Sequence, residues 1–326
     1  MATSGTIGTT NFTVAQLLEH AFRRCGVPPS KITPEDEQTA RESLYMLIVS
    51  LASRGINLWC VEKNLLGLYT NQGIYTLPAG TLDVLNWIYS TPSEVTVDAT
   101  TTTASSITRQ LDAATTAVRY GFKPTAAFTG TVTLAGSDDD LTYTTIQTKA
   151  SATWALETWY WYDIDPSVEY TYYKLTASVP ATFTEFYLAT SVRDINIARF
   201  NRDDWANQPN KTRTASPSTN VYFEKLVTPQ FTLWPVPDTD YNHVSIWRHR
   251  EIQDVGDLTN ELEIPSRQFE PIVWQLALRV ASEVPGADGR LQFLMQMADK
   301  FMLEGDLSET DGAPMYLAPQ ISVYTA

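Results

Sequence analysis

From Thr91 to about Thr190 the chain is written mostly in Thr, Ser, Ala, Tyr and Trp, in short alternating runs such as TGTVTLAG, LTYTTIQT, TWYWYDI, YTYYKLTAS and FTEFYLA. Alternation of period two sends successive side chains to opposite faces of a strand, so each run can cover a core with one face and meet water with the other. Turn formers separate the runs: Gly130, Gly136, Asp138 to Asp140, Asp165-Pro166 and Pro180. Strands and turns at this spacing predict an antiparallel β-sandwich of roughly 100 residues. Because the flanking pattern differs, the expectation is a domain inserted at residues 93–190, with its ends close together.

The flanks read differently. Thr13 and Gln16 form a capping box, and Val14, Leu17, Leu18, Ala21, Phe22 and Cys25 fall on one helical face, which ends at Gly26. Thr33-Pro34-Glu35-Asp36 starts a second helix with Ala40, Leu44, Leu47, Ile48 and Leu51 inward, and the Pro28-Pro29 turn makes the pair an αα-hairpin. FTLW, Phe231 to Trp234, predicts a strand stopped by Pro235 and Pro237, and a return strand from near Tyr241 through Val244, Ile246 and Trp247 makes it a two-stranded ribbon. Helices follow, one entered through Glu270-Pro271 and one running to a stop at Gly305. The fold class expected is therefore α+β. A helical core with a β-ribbon and small sheet takes residues 1–92 and 191–310, the inserted antiparallel β-sandwich takes 93–190, and an extended C-terminal arm takes 311–326.

The arm holds Met315, Tyr316, Leu317, Ile321, Val323 and Tyr324, while Pro314 and Pro319 keep it from becoming a helix. So much apolar surface on an extended segment calls for a groove or sheet edge on a partner. The polar stretch from Ala206 to Asn220 is long for a connection, and Lys211 and Arg213 give it a basic tip that suits DNA or an acidic neighbouring subunit; a solvated loop reads equally well.

A net charge of −14 on 326 residues argues against a surface that grips nucleic acid, since phosphate contacts need clustered Lys and Arg. The acidity reads as a solubility device or as the wall of a channel along which DNA slides. No apolar run approaches the roughly 20 residues that cross a bilayer, and the N-terminus lacks signal-peptide features, so synthesis in the host cytoplasm without membrane insertion is expected. Cys25 and Cys60 sit in apolar contexts and are expected as reduced core residues. The three histidines, His20, His243 and His249, have no accompanying metal-ligand pattern, and no phosphate loop or nucleophile motif occurs. Neither an enzyme nor a cofactor is expected. Trp154, Trp159 and Trp161 are the candidates for stacking on a sugar, set against the simpler reading in which one pair of Trp159 to Tyr162 fills the sandwich and the other faces a neighbour. Asp138, Asp139 and Asp140 read as a solvated turn, with a Ca²⁺ site as the alternative.

Three segments in order carry a resemblance: GINLWCVEKNLLGLYTNQGIYTLPAG leading into TLDVLNWIY, then Arg202 to Phe223, then the strand ending in Trp-Pro-x-Pro-Asp that leads through a return strand to Glu-x-x-x-Pro and an apolar helix. Together they resemble the head-to-tail adaptor proteins of short-tailed phages. The resemblance implies a virion structural protein of the neck and tail. Such a protein forms a ring of about twelve copies beneath the portal protein, contacts the tail nozzle or tail fibre proteins, and passes double-stranded DNA without binding it specifically. Within the insert, GTVTLAGSDDDLTYTTIQT followed by YTYYKLTAS and FTEFYLA resembles discoidin-like, galactose-binding-like sandwiches. That second resemblance implies a carbohydrate-binding or receptor-binding tail component as the alternative function.

Overall fold

Both N-terminal helices begin at the caps their sequences supply. In the computed structural model, which describes residues 11–54, 58–283 and 288–309, the Gln16 backbone N–H donates to the Thr13 hydroxyl and the Thr13 N–H to the Gln16 side chain. Helix α1 (Val14–Cys25) follows and stops at Gly26, whose φ of 86° is left-handed. Thr33 and Asp36 exchange bonds in the same way ahead of α2 (Pro34–Arg54). α3 (Arg202–Ala206) is a single capped turn, and α4 (Phe269–Glu283) and α5 (Leu291–Ser308) complete the helices among the described residues.

By its internal contacts the chain divides into one unit of Met1–Val61 with Glu251–Ala326 and another of Glu62–Arg250. The first is helical, and its core joins Leu17, Phe22, Leu44 and Leu47 to Leu276, Val280 and Leu294. Cys25 and Cys60 lie buried in it as thiols. α5 runs through Gly305 to Ser308 instead of stopping there, and the reason is steric. A Cβ at Gly305 would stand 2.9 Å from the Gln268 side chain and 3.0 Å from Pro271, so the glycine serves the close packing of α5 on the start of α4.

The second unit is β. Its strands are β1 (Val61–Gly67), β2 (Ile74–Thr76), β3 (Thr81–Glu94), β4 (Val97–Thr102), β5 (Ser106–Pro124), β6 (Phe128–Ser137), β7 (Thr144–Trp154), β8 (Tyr160–Ala177), β9 (Phe183–Asn196), β10 (Ala198–Phe200), β11 (Asn220–Glu224), β12 (Gln230–Trp234) and β13 (His243–Arg250). Nine of them run in the order β4-β5-β9-β3-β13-β1-β8-β6-β7, and β5 also pairs with β8. That extra pairing closes β5, β9, β3, β13, β1 and β8 into a six-stranded barrel. The remaining strands form a four-stranded sheet, β10-β11-β12-β2.

These pairings overturn the expected fold class. Strand takes 44% of the chain and helix 28%, so the protein is mostly β and not a helical core bearing a sandwich. The stretch expected to be self-contained shares its sheet with strands outside it, because β9 pairs with β3 along Ile88 to Glu94 and β8 meets β1 at Leu66. The two-stranded ribbon fails for the same reason. β12 pairs with β11 and β2 in the small sheet, whereas β13 pairs with β3 in the barrel. Alternation identifies a strand, but its partner is chosen by whatever other faces need covering.

The register sorts the long strands into two faces. Arg119 and Gly121 of β5 lie opposite Asp163 and Trp161 of β8, and opposite Ala189 and Tyr187 of β9. Their neighbours Tyr120, Phe122, Phe186 and Leu188 turn the other way, into a core shared with Val132 and Leu134 of β6. Tyr89, Val244 and Ile246 likewise turn outward, onto Val221, Phe231 and Leu233 of the small sheet. What is left between is the barrel interior. Its walls approach closely at Gly121, where a Cβ would stand 2.6 Å from the Trp161 ring. Gly121→Ala is therefore expected to cost about 1 to 3 kcal/mol through overpacking and to lower the thermal midpoint, whereas Gly289→Ala, with nothing within 4 Å of the added carbon, should leave it unchanged. Calorimetry of the two variants checks this, and an unchanged midpoint for the first would remove the close approach as a constraint.

Candidate ligand-binding cleft

Between β1 and β8 the register holds the single pair Leu66 and Tyr160. Beside that pair opens a cleft of about 940 Å³, lined by Lys63 and Asn64 of β1, by Gln147 and Lys149 of β7, and by the run from Trp159 to Asp163. Strand alternation gives the run two aspects. Tyr160 and Tyr162 belong with the Phe122 and Trp154 core, and Trp159 and Trp161 turn to the barrel interior with Tyr187 and Ala189. This is the division expected when one pair fills a core and the other meets a neighbour.

Inside the barrel the aromatic rings run in series. Trp159 stacks on Trp161 with centroids 5.2 Å apart, and Trp161 stacks on His243 at 4.6 Å. Polar groups continue from His243. Arg119 Nη1 stands 2.5 Å from His243 Nε2, Arg119 Nε donates to Asp163 Oδ1 at 2.7 Å, and Lys63 Nζ donates to Asp163 Oδ2 at 2.5 Å. Arg119 and His243 are buried, while Lys63 and Asp163 are partly exposed at the cleft. Across the interior the Ser90 hydroxyl donates to Asp194 at 2.6 Å and lies 3.0 Å from that of Ser245.

The charges in this chain follow from its geometry. Burial works against ionised Asp163, but the bonds from Lys63 and Arg119 and the arginine's charge overcome it, so the carboxyl lies below its usual range. For His243 burial and the adjacent Arg119 act together, and its pKa is pushed down to about 3. A neutral imidazole can accept at Nε2 from the guanidinium, which a protonated one cannot. Since both oxygens of Asp163 are committed, it is a fixed strut and not a free base. The groups left to meet a ligand are Lys149, with its Nζ 4.0 Å from the Tyr162 ring centre, the amide nitrogen of Gln147, and Asp165. Flat aromatic walls with a few donors and acceptors suit a polar, ring-shaped molecule. Among the described residues no group of His, Cys, Asp and Glu could hold a metal ion.

Of the residues singled out from sequence, Trp159 and Trp161 line the cleft, and the others among the described residues lie elsewhere. Trp154, Trp159 and Trp161 are 3%, 4% and 2% exposed, so none offers an open ring face to a sugar. Trp154 donates its indole N–H to the Gly130 carbonyl and packs on Phe122. Lys211 closes its own loop by donating to the carbonyls of Ala206 and Gln208, above the Trp205 ring, and Arg213 stands 5.8 Å from the Trp234 ring centre. Asp139 receives the N–H groups of Leu141 and Thr142, which makes the acidic run a turn. Met315, Tyr316, Leu317, Ile321, Val323 and Tyr324 lie outside the described residues. Sequence reasoning missed Lys63, Arg119, Lys149, Asp163 and His243. A signal for one of them existed in Arg119-Tyr120-Gly121-Phe122, since a glycine inside a strand pattern marks close approach of another group.

No protein family matches the sequence, and no curated protein does. Solved structures similar to the chain include carbohydrate-binding modules and domains of glycoside hydrolases. They include a chitosan-binding module from a chitosanase/glucanase of Paenibacillus sp. IK-5, with 14% identity, covering 35% of this chain and 98% of that one at a TM-score of 0.23. Another is the module CBM32-1 from a family 31 glycoside hydrolase of Clostridium perfringens, with 14% identity, covering 42% of this chain and 97% of that one at a TM-score of 0.23.

The histidine makes stability depend on pH. Unfolded, His243 takes a proton near 6.5, and folded it does so only near 3, so the unfolded state binds more protons between those values. The stability is full above about pH 6.5 and falls as the pH drops toward 3. Denaturant midpoints measured at pH 7 and pH 5, above the carboxylate range, should fall for the wild type and fall less for His243→Gln; equal losses in both would refute the buried neutral histidine.

Proposed function

We propose that this chain is a structural protein of a phage virion, a ring-forming head-to-tail adaptor whose β unit adds a ligand-binding surface. The observation that carries the assembly reading is that the helical unit leaves apolar side chains uncovered on two separate helices. On α2 these are Tyr45, Met46 and Val49, each about half exposed. On α5 they are Phe293, Met295, Leu303 and Leu307, exposed at 54 to 62%, while Leu294, Ala298 and Met302 of the same helix are buried. Two different patches on one subunit are what a head-to-tail interface requires, and such an interface gives a ring when its rotation closes. The order of the three sequence segments that resemble those of adaptors agrees with the same reading, with the portal protein as mount and the C-terminal arm as a further contact. In the presence of portal rings the wild-type chain should co-sediment and appear as a ring by electron microscopy. Phe293→Glu with Leu303→Glu should abolish the ring while leaving helical circular dichroism intact; a double variant that assembles like the wild type would refute the interface.

A second reading concerns the β unit, and the cleft favours it. Its aromatic walls and its amide, ammonium and carboxylate groups supply what a carbohydrate needs, a flat apolar face for the ring and directional partners for its hydroxyls. This would make the chain a carbohydrate-binding or receptor-binding component of the tail. Glycan-array binding by the full chain, lost on Tyr162→Ala, is the expected result. Binding that survives the substitution would place the ligand outside the cleft.

A further inference from the structure

Two charges in the cleft, those of Lys149 and Asp165, lack a counter-ion among the described residues. Lys63 is matched to Asp163, and Lys123, behind Trp159, is matched to Glu157 at 3.2 Å. Lys149 differs. It stands on the Tyr162 ring, and among the described residues no carboxylate lies within ion-pair distance of it. Burial disfavours its charge and lowers its pKa, with Asp163 opposing from a distance. Two residues back on the same face of β7, Gln147 uses its amide oxygen to accept from the Tyr120 hydroxyl at 3.1 Å, which leaves its N–H groups for the cleft. An ammonium and an amide N–H pair side by side offer only donors. A partly desolvated donor set of this kind binds an acceptor-only anion best, because each group then gains the bond that water no longer fully supplies.

We infer that the cleft selects an acidic saccharide, its carboxylate or sulfate paired with Lys149 and the Gln147 amide. The inference rests on the carbohydrate reading of the cleft and adds the charge of the ligand. Neither the ring-forming helices nor the Arg119 to His243 chain is needed for it.

Calorimetric titration of the full chain with oligogalacturonate, a sulfated galactan oligosaccharide and neutral oligogalactose of equal length provides the test. Acidic sugars should bind about tenfold or more tightly than the neutral one, with affinity falling as salt rises. Lys149→Met should remove the preference, and Lys149→Arg should keep most of it, both with unchanged thermal midpoints. The carboxylated and sulfated arms show which anion is preferred. Neutral sugar binding as tightly as the acidic ones, or a preference that survives Lys149→Met, overturns the inference while the carbohydrate reading stands. Binding of none of the three overturns both.

Discussion

The β unit depends on the pairing of two long strands, β5 and β8, of 19 and 18 residues. A strand has two edges, and each of these is long enough to spend its free edge on two successive partners. β5 pairs with β4 along its first part and with β9 along its second, while β8 meets β1 at its start and β6 toward its end. One ribbon thus belongs to the barrel at one end and to the outer β4-β5-β8-β6-β7 sheet at the other. Register shifts between Gln110 and Thr115 and between Ala117 and Arg119 supply the bend that lets it do both. The barrel can close at this narrow bore only because Gly121 yields its space to Trp161.

A barrel this small has to be filled, and this one is filled partly with charge. Buried ion pairs give back in Coulomb attraction about what they cost in desolvation, and removing one partner leaves an uncompensated charge that costs about 3 to 5 kcal/mol. The arrangement around Arg119 meets that constraint economically. Its guanidinium is held by one carboxylate, Asp163, and one neutral imidazole, His243, while Lys63 completes the carboxylate from the solvent side. The result is a polar strut that runs from the barrel interior to the cleft and fixes the strand carrying Tyr160 to Asp163. The cleft is thereby built on rigid elements, which is what selective binding needs.

The helical unit is assembled from two distant segments, and it exposes apolar side chains on α2 and α5. Scattered surface leucines need no explanation, but several on one helix opposite its buried face leave a stripe that water tolerates poorly. The exposed apolar side chains of α5 and the cleft belong to different units.

By itself the sequence determined the local structure wherever a short-range rule applies. The caps at Thr13 and Thr33, the inward faces of α1, α2 and α4, the strand character of the Thr- and Tyr-rich stretch and the alternation of Trp159 to Tyr162 all follow from hydrogen bonds or periodicities within a few residues. Tertiary structure decided which strands pair. Thus β12 and β13, adjacent in the chain, went to different sheets, and the expected insert merged with β1, β3 and β13 into one barrel. It also decided the candidate site, whose Lys63, Arg119, Lys149, Asp163 and His243 come from five strands and carry no common spacing. The physical reason is that alternation fixes the two faces of a strand but says nothing of what will cover them. That choice is made by the summed burial of all the faces at once, and only the folded chain displays it.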